Sequence, residues 1–196
     1  MINTIIFDFG GVLGTDSDPI FYEVLTKHGI SKNKALEIWK KHWSKMKVDD
    51  ERIDEIWKTT KKYTTSNIEN ISDDYNNLIS VDQEMINLCK VLKQKDYKLG
   101  MLANETYDWM NIKRQKGNLD EIFDVVYSSA DIKLPKPLSE SYLKTLESLN
   151  AKPEETLFID NMSRNTEAAE KLGIKSILFK NINQLKKELA EIKIIQ

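Results

Sequence analysis

The sequence has a single cysteine, Cys89, so no disulfide can form within the chain. It also lacks long apolar runs, and none approaches the roughly 20 residues that a membrane-spanning helix needs. The apolar N-terminus is interrupted at once by Asn3, Thr4 and Asp8, a pattern that argues against a secretory signal. We therefore expect a soluble, cytoplasmic protein that does not associate with membranes.

An excess of charge of one sign is missing as well. The 29 lysines and arginines nearly balance the 31 aspartates and glutamates, whereas nucleic-acid-binding domains usually carry a strongly basic face. This balance argues against a nucleic-acid partner. Histidine is scarce too, and His28 and His42 stand too far apart to form a recognisable metal-binding spacing. Cys89 falls at helical intervals among apolar residues, which predicts a buried thiol.

The chain does contain an alternation of strand and helix signals. Its 196 residues fit one domain, or one core domain with a modest insertion. Short apolar runs predict strands at Thr4–Phe7, Tyr97–Leu102, Asp124–Tyr127, Thr156–Ile159 and Ser176–Phe179. Most of these runs precede a stretch of helical periodicity, as in parallel sheets covered on both faces. We predict an α/β fold with a doubly wound parallel sheet, in which ligands bind at the carboxyl ends of the strands.

One stretch breaks this alternation. Residues 18–79 show helical signals and no convincing strand, and they contain three of the four tryptophans. Amphipathic spacing of this kind is typical of a small helical bundle with an apolar core. We predict an α-helical cap domain at residues 16–80, inserted into a core domain made of residues 1–15 and 81–196.

Several polar residues are suited to the ends of helices. Ser31, Asp50, Asp82 and Ser139 each precede a helical stretch, where a short polar side chain can accept hydrogen bonds from the free backbone N–H groups. The polar run Thr64–Asn70 predicts a loop between two helices of the cap.

Polar residues also follow the predicted strands. The first strand delivers Asp8 to the edge of the sheet, and Gly10 and Gly11 then allow the backbone to turn tightly beside it. An aspartate there suits a nucleophile or a metal ligand, although aspartate is also a common turn former. The later strand ends and loops add Ala103-Asn104, then Lys136-Pro137, and then Asp160-Asn161.

This order resembles the four motifs of the haloacid dehalogenase-like hydrolases, especially the phosphatase-rich branch with a helical cap after the first motif. The resemblance runs from Ile5 to about Phe179. It implies that Asp8 attacks a phosphate ester and forms an aspartyl-phosphate, which water then hydrolyses. It also implies a Mg²⁺ ion held by the Asp8 carboxylate, the Gly10 carbonyl and the Asp160 carboxylate.

The resemblance implies further roles at the same edge of the sheet. Lys136 would neutralise Asp8 and the phosphoryl oxygens, and so would act in catalysis. Asn104 and the backbone amides after the second strand would hold the phosphate as charge develops on it. The implied phosphate-binding set is Gly10, Gly11, Ala103, Asn104 and Lys136, with Asn161 supporting the metal ligand. The implied substrate is a small phosphorylated metabolite, with sugar phosphates among the candidates, whereas the oligomeric state stays open.

Two positions depart from the family pattern. Most phosphatases of the family place a second aspartate two residues after the nucleophile, where it protonates the leaving oxygen and then activates water. Gly10 stands there, and such proton transfer is typically worth ~10²–10⁴ in rate. Ala103 replaces a serine or threonine, at a cost of roughly 1.5–3 kcal/mol for one charge-assisted hydrogen bond. A catalytically weak member that acts as a binding or regulatory protein therefore remains an alternative.

A 2-haloacid dehalogenase is the other alternative. These enzymes also lack the second aspartate, attack carbon and need no magnesium. Asp160 favours a metal and hence phosphoryl chemistry. No arginine follows Asp8 closely enough in the sequence to suggest a clamp for a substrate carboxylate, since the first arginine is Arg52. We therefore favour magnesium-dependent hydrolysis of small phosphate monoesters.

Overall fold

The computed structural model describes residues 1–195, and a five-stranded parallel sheet lies at its centre. The strands are β1 (Thr4–Phe7), β2 (Lys98–Ala103), β3 (Val125–Ser128), β4 (Thr156–Asp160) and β5 (Lys175–Leu178). They are arranged in the order β3-β2-β1-β4-β5, and every neighbouring pair is parallel. Each predicted strand is present, with its ends within one residue of the expected positions.

Helices connect the strands. They are α1 (Ser17–Lys27), α2 (Lys32–Met46), α3 (Asp54–Lys61), α4 (Ile68–Leu78), α5 (Gln83–Gln94), α6 (Tyr107–Gly117), α7 (Leu119–Ile122), α8 (Ser129–Ile132), α9 (Ser139–Ser148), α10 (Ser163–Glu170) and α11 (Ile182–Glu191). A short 3₁₀ turn spans Pro153–Glu155. Among residues 1–195, none of these helices has the length and apolar character that a membrane crossing would require.

The central strand shows why the sheet is covered on both faces. Ile5 and Phe7 point to one face, where they belong to an apolar cluster with α5, α7 and α11. Ile6 points to the other face and packs with Tyr142 of α9 and Ala169 of α10. Side chains alternate in this way along any strand. Because both faces of β1 are apolar, the strand is buried on both sides, and the predicted doubly wound α/β fold is confirmed.

Helices α1–α4, together termed the helical segment, follow β1 and contain an apolar cluster of their own. Its aromatic members include Phe21, Trp39, Trp57 and Tyr75, and α6 contributes Trp109 from the sheet side. The Tyr75 and Trp109 rings lie 4.4 Å apart, and the Trp39 and Trp109 rings lie 5.9 Å apart. The tryptophans of this segment therefore pack mainly in a core, as predicted, and Trp109 joins that core to the rest of the molecule.

Of the four predicted N-caps, two are confirmed and two are wrong. Ser31 caps α2, and Asp82 caps α5 by accepting two backbone hydrogen bonds of 2.9 and 3.1 Å. Asp50 was expected to start a helix, but α3 begins only at Asp54. The chain leaves α2 through Asp49, whose φ of 57° places the backbone in the left-handed region. Asp50 therefore lies in the turn between α2 and α3 rather than at a helix N-terminus.

Two further expectations near helix ends are wrong. Ser139 is the first residue of α9 rather than its cap, and the N-cap position is taken by Leu138, which forms no side-chain capping bond. The predicted loop Thr64–Asn70 is too long, since α4 begins at Ile68. The Asn67 side chain caps α4 by accepting a 3.0 Å hydrogen bond from the Glu69 amide. An asparagine inside a polar run was the available signal for that cap.

Candidate active site

A cavity of about 200 Å³ lies where the carboxyl ends of β1, β2 and β4 meet the helical segment. The sheet side contributes most of the residues predicted to form the site, namely Asp8, Gly10, Ala103, Asn104, Lys136 and Asn161. The other predicted members do not line it. Gly11 and Asp160 are not among the lining residues, and Asp160 is fully buried in contact with Lys136.

Lys136 joins the two aspartates at the floor of this cavity. Its Nζ atom lies 2.8 Å from Asp8 Oδ1 and 2.7 Å from Asp160 Oδ2. The Phe9 amide also donates a 2.7 Å hydrogen bond to Asp8 Oδ1. One carboxylate oxygen of Asp8 is therefore held by two donors, while the other is free of hydrogen bonds within residues 1–195.

Asp160 is held more tightly than Asp8. The Met162 amide donates to its Oδ1 over 2.8 Å, and the Asn165 side-chain amide donates to both oxygens over 3.0 and 2.9 Å. These donors come from the turn after β4 and the first turn of α10. Because donors hold both of its oxygens, Asp160 is a buried carboxyl group in a fixed position beside Asp8.

The electrostatics of Asp8 reflect this surrounding. Burial raises the pKa of Asp8 to about 7, with the Lys136 ammonium opposing the shift and the nearby Asp160 charge adding to it. The Asp8 carboxylate is thus poorly solvated, and a nearby positive charge would stabilise its ionised form. A carboxylate of this kind, facing a cavity, can act as a nucleophile or as a ligand for a cation.

The Asn104 side chain fixes the position of Lys136. Its Nδ2 atom donates a 2.9 Å hydrogen bond to the Lys136 carbonyl, and its Oδ1 atom accepts a 2.8 Å hydrogen bond from the Lys136 amide. Asn104 was predicted to hold a phosphate. In the structure its first contacts are with the Lys136 backbone, so it attaches the lysine loop to the end of β2.

The glycine loop after β1 leaves little room for side chains. Gly11 has a φ of +69°, which favours glycine, and a Cβ atom on it would overlap Asn161 Nδ2. A Cβ atom on Gly10 would overlap Asp16 Oδ1. The loop therefore packs against Asn161 on one side and Asp16 on the other, while Ala103, only 3% exposed, completes the wall at the end of β2.

The residues present at this site fit a magnesium ion. Within the described chain no group of three or more His, Cys, Asp or Glu side chains is arranged to hold a metal. Mg²⁺ needs fewer, because it usually keeps several waters and binds through one or two carboxylates. Asp8 and Asp160 supply these, and Asn165 Oδ1 is a buried oxygen without a hydrogen-bond partner in the described structure. An all-oxygen set with an unsatisfied acceptor suits a hydrated, hard cation.

Sequence reasoning missed a buried ionic cluster on the opposite wall. Lys113 of α6 forms an ion pair with Glu105, and the Ser17 hydroxyl donates to the same carboxylate. Lys113 Nζ also donates to Ser17 Oγ over 3.1 Å. Lys113 and Glu105 are only 2% and 1% exposed. Glu105 and Lys113 are eight residues apart, but the sequence gave no sign that Ser17 of α1, 88 residues from Glu105, would join them.

Asp16 was missed as well. It lines the cavity beside Gly10, and burial raises its pKa above the usual range, with the Asp18 charge adding to the shift. The available signal was a carboxylate directly before a helix, which ordinarily indicates an N-cap.

Cations also line the outer part of the cavity. Lys47 at the end of α2 and Arg164 of α10 both reach it, together with the stacked rings of Trp39 and Trp43, whose centroids lie 4.5 Å apart. Burial lowers the pKa of Lys47, and the Arg164 charge lowers it further. The absence of an arginine soon after Asp8 in sequence was therefore a poor guide, since α10 brings an arginine to the cavity.

Comparison with known proteins agrees with this architecture. Residues 5–179 match the model of the haloacid dehalogenase-like hydrolase family. Among curated proteins, a pyrophosphatase PpaX of Bacillus cereus is 26% identical over 183 residues, covering 89% of this chain and 82% of that protein.

Solved structures agree as well. A HAD family enzyme from Bacteroides thetaiotaomicron, in complex with magnesium and inorganic phosphate, superposes with a TM-score of 0.79 at 19% identity, covering 94% of this chain and 99% of that one. The L-2-haloacid dehalogenase of Xanthobacter autotrophicus has a TM-score of 0.64 at 18% identity, covering 100% and 85% of the two chains. At these identities the two structures show the fold alone.

Proposed function

The chain belongs to the haloacid dehalogenase-like hydrolases, and from this premise we propose that it hydrolyses small phosphate monoesters with the help of Mg²⁺. The observation that carries the proposal is the contact of Lys136 with both Asp8 and Asp160, at 2.8 and 2.7 Å, on the floor of a cavity at the strand ends. This arrangement places a desolvated carboxylate next to fixed positive charge.

In the proposed reaction, a carboxylate oxygen of Asp8 bonds to phosphorus while the bond to the leaving oxygen breaks. Water then hydrolyses the aspartyl-phosphate and regenerates the carboxylate. Lys136 neutralises the phosphoryl oxygens as they approach Asp8, and Asn104 keeps the lysine backbone in place. The backbone amides beyond Ala103 and in the glycine loop are available to the phosphoryl oxygens.

Asp8, Asp160 and the Gly10 carbonyl would hold the magnesium ion, with Asn161 and Asn165 beside them. When bound, Mg²⁺ would supply positive charge that offsets the two buried carboxylates and the phosphate. The magnesium and phosphate in the Bacteroides thetaiotaomicron structure support this assignment.

The substrate we propose is a small phosphorylated metabolite. A cavity of about 200 Å³ accommodates a phosphate and a compact leaving group. Trp39 and Trp43 offer an apolar wall, and Lys47 and Arg164 suit a second anionic group on the substrate. Inorganic pyrophosphate deserves inclusion in the tests because a relative is named a pyrophosphatase. We further propose that residues 16–80 act as a cap domain that shields this cavity from water.

The test is a steady-state screen of p-nitrophenyl phosphate, sugar phosphates and pyrophosphate, with Mg²⁺ and with EDTA. We expect phosphate release that requires Mg²⁺ and falls about 10⁴-fold in Asp8→Asn, since the nucleophile is lost. Asp73→Asn, an exposed carboxylate of α4, is the matched control and should retain full activity. Turnover that is equal in Asp8→Asn and the parent protein would contradict the proposal.

A dehalogenase remains the second candidate because Arg164 lines the cavity and could bind a substrate carboxylate. The same protein samples are therefore incubated with 2-chloropropionate in EDTA, and chloride is measured. Chloride release without Mg²⁺, together with no phosphate release, would show that the protein is a dehalogenase and not a phosphatase.

A further inference from the structure

The space beside Gly10 is filled by a carboxyl group from elsewhere in the chain. A Cβ atom on Gly10 would overlap Asp16 Oδ1 and would lie 3.4 Å from Asp16 Cγ. The second oxygen, Asp16 Oδ2, would lie 3.1 Å from a Cβ atom on Gly11. Both oxygens of Asp16 therefore rest against the glycine loop, in the volume that a side chain of residue 10 would occupy.

Asp16 has no structural partner that would account for its position. It stands at the N-cap of α1 with extended backbone angles, φ −69° and ψ 142°, yet its side chain forms no capping hydrogen bond. Within residues 1–195 its carboxyl group takes part in no ion pair, although Lys113 lies on the same cavity wall. A carboxyl group in this state is available to a ligand in the cavity.

The residue that follows Asp16 is firmly anchored. The Ser17 hydroxyl donates to Glu105, Lys113 Nζ donates to Ser17 Oγ over 3.1 Å, and the Tyr75 hydroxyl donates to the Ser17 carbonyl over 3.2 Å. Buried hydrogen bonds of this kind fix a backbone position. The Asp16 carboxyl group is therefore presented to the glycine loop from a rigid base.

We propose that Asp16 is the proton-transfer residue of this enzyme and replaces the side chain that Gly10 lacks. This inference rests on the proposed phosphatase function. In the first step the Asp8–phosphorus bond forms, the bond to the leaving oxygen breaks, and the Asp16 carboxyl proton passes to that oxygen. In the second step the Asp16 carboxylate takes a proton from water, whose oxygen bonds to phosphorus as the Asp8–phosphorus bond breaks. Asp16 is thereby returned to its acid form.

The dependence on the leaving group tests this role. A poor leaving group, such as the alkoxide of an alkyl phosphate, needs a proton, whereas dinitrophenolate does not. We expect Asp16→Asn to lower kcat for an alkyl phosphate by ~10²–10⁴-fold, to lower it less than tenfold for 2,4-dinitrophenyl phosphate, and to leave KM nearly unchanged. Glu23→Gln, an exposed carboxylate on the same helix, should leave both substrates unaffected.

A positional exchange gives a second test. The double variant Gly10→Asp with Asp16→Ala moves the carboxyl group to residue 10 and removes the side chain that would collide with it. We expect the kcat of this double variant for the alkyl phosphate to be at least tenfold higher than that of Asp16→Ala. If Asp16→Asn fails to fold, as judged by circular dichroism, the double variant carries the test alone.

The outcomes separate this inference from the proposed function. An equal loss on both substrates, together with no recovery in the double variant, would overturn the role of Asp16 while leaving the phosphatase intact. Absence of any Asp8-dependent, Mg²⁺-dependent turnover in the parent protein would overturn both.

Discussion

The two sides of the cavity are built on opposite principles. At the strand ends, the buried groups are ionisable, and Lys136 contacts both Asp8 and Asp160 within 2.8 Å. In the helical segment, the interior is aromatic, and the rings of Phe21, Trp39 and their neighbours pack around Trp109. The first region brings ionisable groups together and the second buries apolar surface. The sheet edge therefore carries a buried ionisable cluster, and the fold of the segment depends on packing.

Among the substitutions that compare the two regions, Lys136→Met should have the largest effect on the free energy of unfolding. This change keeps the apolar stem but leaves Asp8 and Asp160 buried without a cation, so we expect a loss of about 3–5 kcal/mol in EDTA. Because Mg²⁺ can replace the missing charge, its addition should stabilise the variant more than the parent protein. Urea unfolding with and without Mg²⁺ measures this. Lys171→Met, on the exposed end of α10, is the control and should change stability by less than about 0.5 kcal/mol.

Trp57→Ala should weaken the other region without touching the charged floor. Trp57 is 7% exposed and contacts the rings of Phe21, Tyr75 and Trp109. Removal of so large a buried side chain typically costs 3–5 kcal/mol, and here Mg²⁺ should restore no extra stability. Thermal unfolding measures the loss, and Tyr63→Ala, which removes a half-exposed ring, should cost less than about 1 kcal/mol. If Mg²⁺ stabilised Trp57→Ala as much as Lys136→Met, the distinction between the charged strand ends and the aromatic helical segment would be refuted.

The pH dependence of stability should carry the signature of the charged region. The folded pKa of Asp8 is about 7, above the ordinary value of 3.8. The folded state therefore holds a proton that the unfolded state has lost, so this contribution to stability falls as pH rises from about 4 to 7. In EDTA, Asp8→Asn should gain stability relative to the parent protein over this window. Urea titrations at pH 5 and pH 8 measure the change, and parallel curves would show that Asp8 does not titrate in this way.

The smallest expected effect is a difference in stability between substitutions at two N-caps, Ser31 before α2 and Asp16 before α1. Ser31 accepts a hydrogen bond from the Lys34 amide, so Ser31→Ala should cost about 1 kcal/mol. Asp16 forms no such bond, and Asp16→Ala should cost less than about 0.5 kcal/mol. The midpoints of urea unfolding decide the ranking. A greater loss for Asp16→Ala than for Ser31→Ala would mean that Asp16 stabilises α1 as an N-cap.

Much of the fold could be predicted because the pattern was local. Each strand is a short apolar run, and Ser31 and Asp82 precede helices at positions where their side chains reach the free amides. The failures were also local. Asp50 and Ser139 have suitable side chains, but the positive φ of Asp49 and the placement of Leu138 at the cap decided where those helices begin.

The site was predictable only where it follows the strands. Asp8, Asn104 and Asp160 come directly after apolar runs, and the sheet places them at one edge. Their roles in the reaction stay predictions. Ser17 of α1 joins the pair of Glu105 and Lys113 from 88 residues away, and Arg164 reaches the cavity from α10, so neither contact left a signal at short range in the sequence. The periodicity of a sequence predicts single helices and strands, but it does not predict which side chains of distant elements come into contact.

The side chain of Asn104 makes the two hydrogen bonds to Lys136 that an adjacent strand would otherwise exchange with its backbone. The end of β2 is in effect extended by a side-chain rung. The amide proton of Lys136 is locked into that rung, so its exchange with deuterium should be as slow as that of the strand amides of β2. Lys136, although it lies on a loop, would then share the lifetime of the sheet, and it would be released only when the sheet itself opens.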